Sequence, residues 1–269
     1  MSKRKMKVLS IDFDFFQIVD SDTIIRYYPD GHDFSTDLSI MIWEQHYAHK
    51  TESKIIKSVK TDKNLLSQMI SIIENNADYD ISYCHSMIVN SHRHIYDFIS
   101  NNFDKSKYNG LDIYNVDMHH DMFDTEIIKS YKNNKEITTY KTHDVDCGNW
   151  ASCLMRDFKN TTINWIKNPI SDMTYSTKVP HNAFDDFTPI KDIKFDLIFL
   201  CRSDIYLPPH LDKDFDKLRK TIQSNFATTM VEESILKPRN IKPYVEQLEK
   251  AFIELDNHLT QEAKKCVQS

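Results

Sequence analysis

Lys7 to Asp12 reads KVLSID, a short and mainly apolar run that ends on a carboxylate, with a second carboxylate, Asp14, two positions on. Such a run predicts a buried parallel strand, because strands covered on both faces read as continuous apolar segments. Three further runs share the pattern: Asp80 to Cys84 (DISYC), Leu111 to Asp117 (LDIYNVD) and, the clearest, Phe195 to Cys201 (FDLIFLC). Helical spacing of apolar residues appears from Asp62 (DKNLLSQMISIIENN), from Asp214 after the Pro208-Pro209 turn (DFDKLRKTIQSNF) and from Val245 (VEQLEKAFIELDNHL). Strands alternating with helices predict an α/β fold of three layers, α/β/α, around a mostly parallel central sheet. No repeat, linker or composition shift divides the chain, so residues 1–269 read as one domain. Ser130 to His143 is polar and reads as an exposed loop or short hairpin.

Composition narrows the function. The net charge is -6, with Lys and Arg spread along the chain, which argues against a nucleic-acid partner. There are 3 glycines, so no Gly-rich phosphate loop can be built. The 5 cysteines form no C-x-x-C pair and suit a reducing cytoplasm. The basic start before an apolar run is broken by Asp12 and Asp14, unlike a signal peptide, and no run is long enough to span a membrane. Oligomeric state is not legible.

Three of the four predicted strands end in residues of metal-ligand type. The first ends at Asp12-x-Asp14, the second at His85, and the third at Asp117-x-His119-His120-Asp121. Ligand sites in open parallel sheets form at the carboxyl ends of strands. Six donors (Asp12, Asp14, His85, Asp117, His119, Asp121) exceed the needs of one zinc and suit two hard or borderline divalent ions with bridging carboxylates. Each piece has a plainer reading. A lone D-x-D is ordinarily a solvated loop feature, and a lone His after a strand is ordinarily exposed or satisfied. The D-x-H-H-D cluster is harder to dismiss, since several ionisable groups at a buried strand end destabilise a fold unless something pairs with them.

These residues resemble a family. NVDMHHDMF matches the D-x-H-x-D signature of the ureohydrolase superfamily, the arginases and agmatinases. The resemblance implies that Asp117 bridges two manganese ions, that His119 and Asp121 serve one each, and that His85, Asp12 and Asp14 complete the set. The order departs from ordinary arginases, where D-x-D follows the D-x-H-x-D motif. The atypical peptide arginases, which convert arginine residues of ribosomal precursor peptides to ornithine, are more similar: related proteins carry DIDLDFF-type segments like SIDFDFF and an Asn-Trp like that of CGNWAS (Cys147 to Ser152). The resemblance implies a cytoplasmic enzyme with an arginase/deacetylase-like fold, two Mn²⁺ and an arginine-containing precursor peptide as partner. It further implies Asp121 and His143 in proton transfer and Asn149 in substrate binding. Trp150 reads equally as a core anchor. Asp144-x-Asp146 is a rival D-x-D, ranked lower because no strand precedes it.

After the fourth strand, Asp204 is the candidate partner for a substrate guanidinium, with Arg202 as a contact to the peptide; the plainer reading pairs Asp204 with Arg202. Glu232 and Glu233 are alternatives, and Tyr27, Tyr28 and His32 are candidates for a peptide groove. Other reactions stay open: a small-molecule ureohydrolase, a single-zinc deacetylase, or a haloacid-dehalogenase-like phosphatase with Asp12 as nucleophile and Asp14 as acid/base. The last has Phe16 where that motif prefers Thr or Val, and it leaves the D-x-H-H-D cluster unexplained.

Overall fold

In the computed structural model the chain is described at residues 3–28, 35–77, 84–123, 125–132, 135–169, 176–226, 228–237, 239 and 241–268. The elements in chain order are β1 (Arg4–Asp12), β2 (Gln17–Ile18), α1 (Ser21–Tyr27), α2 (Thr36–Ala48), α3 (Lys50–Ile56), β3 (Lys60–Thr61), α4 (Lys63–Ala77), β4 (His85–Val89), α5 (His94–Asn102), β5 (Tyr108–Asp117), β6 (Glu126–Lys132), β7 (Lys135–Lys141), α6 (Trp150–Asp157), β8 (Thr162–Lys167), β9 (Asn182–Phe184), β10 (Leu197–Cys201), α7 (Asp212–Asn225), β11 (Thr228–Val231), α8 (Glu233–Leu236) and α9 (Lys242–Gln268).

Seven strands form one sheet in the order β11-β4-β10-β1-β5-β8-β9. Every pairing within it is parallel. Alternation divides the strand residues between two cores. Leu9, Ile11, Val116, Ile198 and Leu200 pack with α4 (Leu66, Met69, Ile73) and α7 (Phe215, Leu218, Ile222). Met6, Val8, Leu111, Ile113, Leu197 and Phe199 pack with α5 (Ile95, Phe98, Ile99) and α6 (Trp150, Ala151, Leu154). Helices therefore cover both faces, as the apolar runs require. Asp62 starts α4 as read from sequence, its side chain accepting from the backbone N–H of Asn64 and Leu65 at 2.9 Å each.

The chain leaves β1 for β4 on one side of the sheet and leaves β5 for β8 on the other. The strand order thus reverses between β1 and β5, and the crevice at their carboxyl ends is where open α/β sheets hold ligands. A third core, with Trp43, Tyr47, Ile56 and Ile241, reaches Met118 just beyond β5. Of the segment Ser130 to His143, residues 130–132 and 135–141 belong to the antiparallel pair β6–β7, which starts earlier, at Glu126. The second strand differs from its sequence reading: β4 begins at His85 instead of ending there. Residues 78–83, which hold most of DISYC, lie outside the described residues, as does His32. Among the described residues no helix is long and apolar enough to cross a membrane.

Candidate metal centre

Asp12 closes β1, and Asp14 follows in a single 3-10 turn, Phe13–Phe16. Asp117 closes β5, with His119 and Asp121 in the loop beyond. The same alternation that sends Val8 and Ile113 toward α5 and α6 puts Ser10, Asp12, Asn115 and Asp117 on that face at the carboxyl end. All four are buried. His92, in the turn between β4 and α5, enters from beside them and is 2 % exposed.

The Nδ1 of His92 stands 3.2 Å from Asp12 Oδ2, 3.2 Å from Asp117 Oδ2 and 3.3 Å from Asp121 Oδ2. The Nδ1 of His119 stands 3.3 Å from Asp14 Oδ2 and 3.5 Å from Asp117 Oδ1. Two donor sets result, Asp12/His92/Asp117 and Asp14/Asp117/His119, in each of which the ligand atoms lie within 4.8 Å of one another. Asp117 belongs to both, offering a different oxygen to each. Metal–ligand bonds of about 2.0–2.2 Å place neighbouring donors about 3–3.5 Å apart, the spacing seen here.

The chemistry of the donors fits a cation. Among the described residues neither carboxylate oxygen of Asp14 makes a hydrogen bond, nor does His92 Nδ1, although all three atoms are buried. Four buried carboxylates in contact are strongly unfavourable without positive charge. Burial, then Asp12 and Asp117, pushes Asp14 up to about 7. Burial and Asp117 likewise push Asp121 up. Burial lowers the pKa of His92, but Asp121, Asp117 and Asp12 outweigh it and raise the net value well above an ordinary imidazole. The same balance, with Asp117 and Asp14, raises His119. For Asp117 burial opposes ionisation, yet His119 and His92 hold its carboxyl well below the usual range. A buried Asp/His/Asp group of this kind could hold a metal ion.

Folded Asp14 keeps a proton that the unfolded chain releases, so its contribution is complete below 3.8, declines as pH rises and is gone above about 7. The raised pKa values of His92 and His119 act with the same sign from 6.5 upward. Metal-free protein should lose stability between about pH 5 and about pH 8, and a divalent cation bound to the cluster should add more at the upper end. Thermal unfolding with chelator and with metal at both pH values checks this; greater metal-free stability at the higher pH would contradict it.

Neutral side chains surround the ligands. Ser10 Oγ lies 2.7 Å from His92 Nε2. Trp150 Nε1 donates to Asp121 Oδ2 at 2.7 Å. The Ser203 hydroxyl donates to Asp12 Oδ2. Asn115 Nδ2 lies 3.3 Å from Asp117 Oδ2 and 3.4 Å from Asp121 Oδ2. Asp121 and Ser203 both have left-handed backbones, φ 54 and 51. Non-glycine residues held there cost about 1–3 kcal/mol, and such strain gathers at functional sites.

Five of the six ligands read from sequence meet here: Asp12, Asp14, Asp117, His119 and Asp121. His85 does not. It is exposed at the amino end of β4, in register with Leu197 and Thr228, the opposite end from the cluster. His92, seven residues on, takes its place. His120 is buried and kept neutral, its pKa lowered to about 4 by burial, with Nδ1 accepting from the backbone of Met122 at 2.9 Å.

The proposed substrate residues fare differently. His143 is exposed, and no contact among the described residues joins its ring to the cluster. Asn149 is buried and holds its own loop: Oδ1 accepts from Asp146 N at 3.0 Å, and Nδ2 donates to Asp144 O at 2.9 Å. Asp204 follows the plainer reading. Its Oδ2 accepts from Arg202 Nη2 at 3.0 Å and its Oδ1 from Arg202 Nε, both residues being buried. Both oxygens of Asp204 are engaged by an internal guanidinium, and Arg202 is committed in turn. Asp204→Asn should leave Arg202 buried without its counter-charge and destabilise the fold by about 3–5 kcal/mol. Denaturant unfolding would show the loss, while metal content stays unchanged.

Glu233 is exposed and pairs with Lys237 at 2.8 Å. Glu232 accepts from Asn90 N at 3.0 Å and from the Ser234 hydroxyl at 2.7 Å, joining β11 to the end of β4. Tyr28 is buried, its hydroxyl donating to Gln17 at 2.7 Å, so it lines no groove. Tyr27 packs edge-on against His46.

Comparison with protein-family models, curated proteins and solved structures finds no match to this chain.

Proposed function

We propose that the chain is a binuclear manganese hydrolase that cleaves the guanidinium group of arginine residues in a peptide, leaving ornithine and releasing urea. The observation that carries the two-metal reading is the sharing of Asp117: its Oδ2 faces His92 and its Oδ1 faces His119. Asp12, His92, Asp117 and Asp121 would hold one ion, and Asp14, Asp117 and His119 the other. Carboxylate and imidazole donors together suit manganese. The guanidinium substrate is supported by the ureohydrolase-like spacing of D-x-D and D-x-H-x-D, whose missing histidine His92 supplies.

Two such ions would lower the pKa of water to about 7 and so furnish a nucleophile at neutral pH. The protein's own groups do the rest. Among the cluster's ligands His119 is the most open, its side chain 18 % exposed, so the substrate's planar cation would approach from there. Water adds to the guanidinium carbon, the bond from that carbon to the arginine Nε breaks, and urea leaves with the carbon. Asp121 takes one proton of the water and returns it to the departing nitrogen; the second passes to the released amine as the carbonyl of urea forms, so ornithine leaves with a charged ammonium. The indole N–H of Trp150 fixes one oxygen of that carboxylate and leaves the other to carry the proton.

Urea release from arginine-containing peptides and from free arginine, with manganese present, tests the substrate. Urea mainly from peptides is expected. Urea from free arginine alone would move the reading to a small-molecule ureohydrolase, and deacetylation with one zinc bound would replace it.

A further inference from the structure

We infer that Ser203, Asn115, Trp150 and Ser10 are positioning residues that aim three carboxylates and one imidazole at a single point. This rests on the metal reading of the cluster and not on the identity of the substrate. The three oxygens that converge on His92 Nδ1 are the Oδ2 atoms of Asp12, Asp117 and Asp121. Each is approached by a neutral donor: Ser203 Oγ at Asp12, Asn115 Nδ2 at Asp117 and Trp150 Nε1 at Asp121. The imidazole is held from behind, with Ser10 Oγ against Nε2, so Nδ1 is the nitrogen that faces the carboxylates.

Neutrality matters. A Lys or Arg at these positions would orient the carboxylates but also neutralise them and compete with a metal. A hydroxyl or an indole N–H fixes direction and leaves the charge available. The arrangement is selective too. Asp14, which belongs only to the second donor set, has no such donor on either oxygen among the described residues. Loss of these donors should therefore weaken the metal held with His92 more than the one held with Asp14.

Ser203 permits a clean test because of its backbone. At φ 51 a glycine is more comfortable than a serine, so Ser203→Gly removes the hydroxyl while the loop keeps its shape. Trp150→Phe removes the indole N–H and keeps an aromatic ring in the core. Manganese binding to the full chain would be followed by calorimetry and electron paramagnetic resonance, alongside thermal unfolding of the metal-free protein. Ser203→Gly is expected to lower affinity for the first ion by about 10- to 100-fold with no loss of metal-free melting temperature. Trp150→Phe should do the same to affinity, whatever it does to stability. Wild-type affinity in both variants would overturn the inference. A wild-type chain that binds no manganese would overturn the metal reading itself, and this inference with it.

Discussion

Asp117→Asn is expected to empty both metal positions at once and to reduce activity to background. The substitution changes one oxygen to an amide nitrogen, which cannot ligate, and removes a negative charge from a residue that is 0 % exposed. Because each oxygen serves a different donor set, no rotamer of the amide side chain restores both. The loss should exceed the about 10- to 100-fold that follows removal of an outer hydrogen-bond partner. The fold should survive, since His92 still faces Asp12 and Asp121 and His119 still faces Asp14, so neither imidazole is left without a carboxylate. Metal content measured beside circular dichroism separates the two effects. A folded Asp117→Asn protein that still carries two ions per chain would remove the bridging role.

The second large effect is a contrast between two histidines. His92→Asn should abolish binding of the ion shared with Asp12, Asp117 and Asp121, because the three oxygens then face one another without an imidazole among them. His85→Ala should change neither metal content nor urea release, because His85 is exposed at the far end of the strand. Metal stoichiometry of the two variants, prepared in parallel, reads the difference directly. Retained metal in His92→Asn together with loss in His85→Ala would reinstate the sequence reading of this position.

The exchange of His85 for His92 shows where the sequence is legible. Asp12 and Asp117 sit at the ends of runs whose apolar residues are buried, and such runs declare their own polarity: apolar interior, then ligand. For β4 the run is weaker, and the apolar residues SMIV follow His85 instead of preceding it. Reading SMIV as the strand moves its carboxyl end to Val89 and makes His92 the histidine beyond it. β8 (TINWIK) escapes a sequence reading because a polar Asn164 and a large Trp165 interrupt the pattern, yet both find partners, Asp112 and the carbonyl of Asp117. The positioning residues are beyond reach for a different reason. Ser10 and Ser203 are ordinary in any alternation, and only the tertiary placement of His92 and Asp12 gives their hydroxyls a task. Trp150 carries a weak signal, an aromatic following Gly148-Asn149, which suits a core anchor equally well. For Asp204 the plainer reading is the one the structure shows: its partner, Arg202, lies two residues away, and buried charges are ordinarily paired.

A manganese titration of the metal-free chain, followed by electron paramagnetic resonance, tests the shared carboxylate. Two ions per chain are expected and, at saturation, the broadened signal of two manganese centres coupled through Asp117. A single ion per chain with an isolated-manganese spectrum, or no binding at all, would contradict the sharing of Asp117.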